Sequence, residues 1–173
     1  LGVAGLGRWV QEHPALLADL AALCRQTGLT SPPRFLWDPL SGTSGGLAFG
    51  RRGRYAVALG DVAGKGLPAA LLMCMFQAGL QALCEMGLPP DDTISRLNKL
   101  LCRRLPPNRF VTFFFSVLDP ARHTLTYVNA GQNPPCRLGD GDALDRLTAT
   151  GPPLGLFAGA AYEARTLELA CGD

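Results

Sequence analysis

The stretch "RFVTFFFSVLD", residues 109–119, restricts the fold more than any other part of the chain. Read as a strand, it places Val111, Phe113, Phe115 and Val117 on one face, while Phe110, Phe114 and Leu118 load the other. A strand that is apolar on both faces needs protein above it and below it. Asp119-Pro120-Ala121-Arg122 has the composition of a hairpin turn and leads into "HTLTYVNAG", a second β-rich run. "RYAVAL", residues 54–59, reads as a short strand ended by glycine. "PCRLG" and "DRLTA" around the turn "DGDA" read as a further hairpin, and "YEARTLELA" as a last strand.

Helical periodicity occurs in three places. "HPALLADLAALCRQTG" sets Leu16, Leu20 and Leu23 on one face, with Pro14 in the first turn and Gly28 as the C-terminal cap. From Pro68 to Met86 the apolar residues run almost all the way round and leave only the narrow stripe Gln77, Gln81 and Glu85, which predicts a helix buried on most sides. "DDTISRLNKLLCRRL" opens with cap-forming acids and carries Ile94, Leu97 and Leu101 on one face, which predicts a half-exposed helix. The Pro-, Gly- and Ser-rich "TSPPRFLWDPLSGTSGG" between the first helix and the strands reads as loop, with at most a short strand at Phe35 to Trp37. Order and burial together predict an α+β domain in which antiparallel sheet packs on sheet and the helix pair lies outside.

With 173 residues, 47% of them hydrophobic and 17% charged, the chain suits one compact domain with a real core. A net charge of +2 with scattered basic residues argues against nucleic acid as a partner. No apolar run reaches the roughly 20 residues of a membrane helix, so no membrane insertion by this segment is expected. The six cysteines form no Cys-x-x-Cys pair and most sit in apolar runs, which favours a reducing, cytoplasmic setting. The start without methionine and the abrupt end at Gly172-Asp173 read as a piece of something longer.

"GDVAGKGLPAALLM", residues 60–73, places an aspartate, three glycines and a lysine between a strand and a helix. A nucleotide phosphate loop requires four residues between its glycines and a hydroxyl after the lysine; here three residues separate Gly60 from Gly64, and Gly66 follows Lys65. Gly64-x-Gly66-x-x-Ala69 fits a dinucleotide fingerprint, but the pyrophosphate would meet Asp61 at the mouth of the turn. The remaining reading begins with Asp61, a carboxylate at a strand end that can turn both oxygens into a site. Gly-Asp recurs at Gly172-Asp173, so two carboxylates could converge if their strands are neighbours. Magnesium and manganese favour such oxygen ligands, whereas the isolated His13 and His123 and the lack of a cysteine cluster argue against zinc. The competing reading is an Asp61 that merely caps the turn.

The ordered blocks "GDVAGKGLPAALLM", "RLNKLL", "RFVTFFFSVLDP", "LTYVNAGQNPP", "GPPLGLF" and the final "GD" resemble the phosphatase domain of the stage II sporulation protein E family, bacterial PPM-type metal-dependent protein serine/threonine phosphatases. The resemblance spans 34–173, with 1–33 left as an N-terminal helix and linker. It implies a four-layer α/β/β/α sandwich of two antiparallel sheets face to face with helices outside. It also implies a site for two Mn2+ or Mg2+ ions, bridged by Asp61, with the Val62 carbonyl as a backbone ligand and Asp173 as a later metal-binding aspartate. Asp61 and Asp173 are thereby the expected catalytic residues, with a metal-activated water attacking phosphorus. Lys65 and Asn133 are candidates for substrate binding; the plainer readings are a solvated lysine, and asparagines at 129 and 133 that hold a bend. The implied substrate is a phosphoserine or phosphothreonine form of a small anti-sigma-factor antagonist, with an upstream sensor domain and the oligomeric state left open.

The chain departs from the family pattern in three places. Ser41-Gly42-Thr43 stands where the family has Gly-Gly-Asp, putting a hydroxyl in place of a metal-facing carboxylate, with Asp38 as a conceivable substitute. Gln132 replaces the histidine of Ala-Gly-His-Asn-Pro; it keeps hydrogen bonding but cannot be protonated. The family's Thr-Asp-Gly segment, which carries another metal ligand, is not in the sequence, so the phosphatase-like domain is expected to lack its C-terminal end. The alternative to an active phosphatase is therefore a catalytically silent relative that binds a phosphoprotein or another domain.

Overall fold

The computed structural model describes residues 44–51, 53–138 and 144–170. The expected helix at 13–27, the short strand at 35–37, Asp38, Thr43, the turn at 139–143 and Asp173 lie outside the described residues.

Strand β1 (Ser44–Arg51) was not expected, its first three residues falling in the stretch read as loop, whereas β2 (Arg54–Val62), β3 (Val111–Asp119) and β4 (Thr124–Ala130) follow the expected order. With β7 (Arg165–Glu168) they form one antiparallel sheet in the order β1-β2-β3-β4-β7. A separate hairpin joins β5 (Cys136–Leu138) to β6 (Leu144–Arg146). Two helices, α1 (Leu67–Glu85) and α2 (Pro90–Cys102), connect β2 to β3.

The strand with two apolar faces has protein on both, as its pattern requires. Val111, Phe113 and Phe115 belong to the main core with Ala56, Ala58 and Val62 of β2, Met73, Phe76 and Leu80 of α1, and Ile94, Leu97 and Leu101 of α2. Phe76 meets Phe113 edge to face at 4.8 Å, an orientation favoured by the ring quadrupoles. On the opposite face Phe114 stacks on Tyr127 at 5.7 Å and packs with Leu147, Leu125 and Leu167, so a second cluster begins there beside the β5-β6 hairpin.

Two expectations need correction. The helix predicted to be buried on most sides commits one stripe, Ala69, Met73, Phe76 and Leu80, while Leu67 and Leu71 are 72% and 61% exposed. The sheet covers one side of α1 and α2 one flank, and no further described layer covers the rest. α1 is long and apolar enough by composition to cross a bilayer, but its buried stripe is spent on the sheet. In α2 the residue at the N-cap is Pro89, not an acid, and no side chain caps the helix. Asp91 and Asp92 instead lie in its first turn, where negative charge complements the helix dipole.

Cys84 behaves as the small hydrophobe expected from its apolar surroundings: burial pushes its thiol up to about 11. Tyr162 is a less comfortable core residue. Its ring is buried, and its hydroxyl has no hydrogen-bond partner among the described residues. Burial, with a smaller contribution from Cys102, drives its ionisation well above the usual phenol range. Because an unpaired buried hydroxyl is a net cost, Tyr162→Phe is expected to stabilise the fold by about 1 kcal/mol, a rise of roughly 2–4 °C in melting temperature. Calorimetric melting checks this, and a lower melting temperature would reveal a hydrogen bond to that hydroxyl.

Candidate metal centre

β2 continues beyond the glycine that seemed to end it, so Asp61 is its penultimate residue. The alternation that turns Ala58 and Val62 into the core turns Asp61 to the opposite face, where it is exposed. Its backbone lies opposite Ser44 of β1 and Thr112 of β3. Val111 exchanges both backbone hydrogen bonds with Leu154, at 2.9 and 2.8 Å, so its polar groups point away from β2. The facing Val62 therefore forms a pair without mutual hydrogen bonds, and its carbonyl points to the β1 side, where the described ladder ends at Ser44.

The turn after β2 is held from across the sheet edge. The Ala63 N–H donates to the Phe110 carbonyl at 2.8 Å, and Arg109 Nη1 donates to the Ala63 carbonyl at 2.6 Å. The guanidinium occupies the space above Gly64, where a Cβ would collide with Nη1, and Gly64 has a φ of 117°, which L side chains rarely adopt. Arg109 is thus a turn clamp, a role that nothing in its local sequence signals. Lys65 projects from the same turn and is exposed.

The end of β4 supplies the other wall. Asn129, fully buried, donates from Nδ2 to the Leu147 carbonyl at 2.9 Å and accepts the Gln132 N–H on Oδ1 at 2.8 Å. It holds the bend, as the plainer reading expected. Gly131, at a φ of 72°, is packed so closely on Pro153 that a Cβ would not fit. The next side chain, Gln132, accepts the Thr112 hydroxyl on Oε1 at 2.8 Å. Asn133 lies beyond it and is exposed. The structure therefore brings Asp61, Thr112 and Gln132 to one sheet end, with Lys65 on the adjoining turn.

Asp173 and Thr43 lie outside the described residues. β7, the last strand before Asp173, is separated from β2 by β3 and β4, and its final residue Glu168 lies opposite Thr124, far from the Asp61 end. Thr43 directly precedes Ser44, the residue opposite Asp61.

The described donors are an exposed carboxylate on the sheet face away from the core and a backbone carbonyl in the sheet plane at the same strand end, oxygen ligands of the kind that magnesium or manganese takes. Among the described residues no three His, Cys, Asp or Glu side chains form a cluster.

The chain is similar to several known proteins. The chain is 35% identical over 78 residues to the phosphoserine phosphatase RsbU of Bacillus subtilis, an alignment covering 45% of this chain and 23% of RsbU. It is 28% identical over 118 residues to the phosphoserine phosphatase RsbP of the same organism, covering 66% of this chain and 29% of RsbP. The chain thus spans less than a third of these curated relatives. Among solved structures, the SiaA-PP2C domain of Pseudomonas aeruginosa superposes with a TM-score of 0.69 at 18% identity, covering 98% of this chain and 70% of that one. The PP2C phosphatase domain of SpoIIE from Bacillus subtilis gives 0.66 at 21% identity, covering 78% and 40%. These likenesses show the fold, an α+β sandwich of the PP2C type. The sequence profile of Stage II sporulation protein E matches residues 51–173, most of the chain, and the chain belongs to that family.

Proposed function

We propose that this domain is a metal-dependent phosphoprotein phosphatase that hydrolyses phosphoserine or phosphothreonine on a small regulatory protein of the anti-sigma-factor antagonist type, in a reducing, cytoplasmic setting. The observation that carries the reading is the Asp61 end of β2: an exposed carboxylate on a fixed strand, beside a backbone carbonyl not engaged by β3 and a turn clamped by Arg109. Two phosphoserine phosphatases among its relatives support the chemistry.

In this reading Asp61 and the Val62 carbonyl hold the cation pair, with Asp173 as the later carboxylate. When bound, the ions supply Lewis-acid stabilisation of phosphoryl charge and lower the pKa of water. The protein contributes position. The β2-β3 ladder fixes Asp61, the Arg109 clamp fixes the turn, and Lys65 offers a cation to the phosphate at the turn's exposed edge. Asn133 stands at the exposed edge of the loop after β4, within the same wall as Gln132.

A silent, phosphoprotein-binding domain is the second reading, favoured by Thr43 standing where the family pattern has a carboxylate. Manganese calorimetry on the chain, followed by phosphate release from a phosphoserine protein in the same sample, separates the two. Binding with turnover is expected, and Thr43→Asp is expected to tighten manganese roughly 10-fold or more by adding a charged oxygen ligand. A wild type that binds no manganese and releases no phosphate would establish the silent reading.

A further inference from the structure

The register that places Asp61 opposite Thr112 has a second product. Val111 and Phe113 face the helices, so Thr112 lies on the opposite face of β3, the same face as Asp61. Directly opposed residues on one face are side-chain neighbours, with Cβ atoms about 4.5–5.5 Å apart. The Thr112 hydroxyl donates to Gln132 Oε1, which ties the end of the Gln132 side chain to the residue directly opposite Asp61. Gln132 is held at its backbone by its N–H on Asn129 Oδ1 and by the preceding Gly131 packed on Pro153, and at its side chain by Oε1 on Thr112. With Oε1 engaged, Nε2 makes no hydrogen bond to a described residue, and Gln132 is only partly buried.

We propose that Gln132 is a substrate-binding residue, its Nε2 donating to a phosphoryl oxygen of a phosphate held beside Asp61 while Thr112 anchors its carbonyl end. The inference rests on the phosphatase reading and deepens it by naming the group that meets the phosphate. A neutral amide suits the place: it offers N–H to an anion without bringing a positive charge that would repel metal ions at Asp61. It is also a donor held ready before the ligand arrives, so little ordering is lost on binding. A purely structural role, in which Gln132 simply ties the loop after β4 to the start of β3, predicts a different outcome.

Gln132→Glu separates the two. The variant keeps the side-chain length and the acceptor for Thr112 but replaces the donor with an anionic oxygen. The probes are magnesium alone and inorganic phosphate at saturating magnesium, both read by calorimetry. Phosphate affinity is expected to fall roughly 10- to 100-fold, the loss of a charge-assisted hydrogen bond. Magnesium affinity is expected to hold or rise, because a carboxylate has been added near Asp61. Thr112→Val, which frees the amide, is expected to weaken phosphate several-fold with magnesium binding unchanged. Phosphate affinity unchanged in Gln132→Glu, or a joint loss of phosphate, magnesium and melting temperature, would overturn the assignment. A wild type that binds both probes while the variant is indifferent removes only the role of Gln132; a wild type that binds neither removes the phosphatase reading and this assignment with it.

Discussion

Asp61→Asn should lower phosphate release from a phosphoserine protein by roughly 10^3-fold or more, since the charge stabilisation provided by a bound metal is worth several kcal/mol. The substitution is nearly isosteric, so its effect is electrostatic. An amide oxygen remains, but a full negative charge leaves a site that must hold dications. The backbone pairing with Thr112 is untouched by the substitution. Unchanged melting temperature, loss of the manganese heat signal and loss of turnover form the expected set. Turnover retained within ten-fold of wild type would remove Asp61 from the chemistry, and the proposed mechanism with it.

The largest effect on stability is expected at Asn98, which carries no charge and takes no part in the site. It is fully buried on α2, donates from Nδ2 to the Phe157 carbonyl at 2.8 Å and accepts the Gly155 N–H on Oδ1 at 2.8 Å. The Cys102 thiol approaches the same oxygen at 3.6 Å. One side chain thus satisfies both main-chain groups of the loop "GPPLGLF" where it crosses the helix. Asn98→Ala would strand the Gly155 N–H and the Phe157 carbonyl and leave a void, a cost of about 3–5 kcal/mol. The corresponding fall in melting temperature is on the order of 10 °C. Asn98→Asp, which keeps the acceptor for Gly155, should recover part of it. A loss below about 1 kcal/mol in Asn98→Ala would mean that Leu154, buried in the core, holds this loop without help.

β2, β3 and β4 were legible in the sequence because period-two alternation reports burial directly, whereas β1, rich in glycine, was not. Phe113 and Phe114 could not both be buried unless protein lay on both sides of β3, and each has its own cluster. The end of β2 was misjudged for a packing reason. Gly60 looked like a terminator but lies within the strand, where an added Cβ would sit 3.1 Å from the Phe76 ring and 3.3 Å from that of Phe113. α1 failed in the other direction: counting apolar residues shows what a helix could bury, while the number of layers present decides what it does bury. Leu67 and Leu71 are the difference.

For the candidate site, Asp61 and the turn were visible as a motif. Arg109 and Thr112 were not. Arg109 meets Ala63, and Thr112 meets Gln132, only through the β2-β3 register and the return of β4, contacts 46 and 20 residues apart in sequence. Sequence order carries no trace of a partner set by register until the strands are paired. The departure from histidine to Gln132 is visible in the sequence, but its bond to Thr112, the residue opposite Asp61, follows only from the ladder.

The β2-β3 register also divides the site by mobility. Asp61 belongs to the pairing between two nine-residue strands, so displacing its carboxylate by even one residue means opening the centre of the sheet, an event on the scale of global unfolding. The residues from Gly64 to Gly66 lie outside the ladder; Arg109 packs over Gly64, and the Gly66 carbonyl accepts the Ala70 N–H at the start of α1. A signal arriving at this domain would therefore retune the site by moving what surrounds Asp61, with the aspartate serving as the fixed point against which the other parts are adjusted.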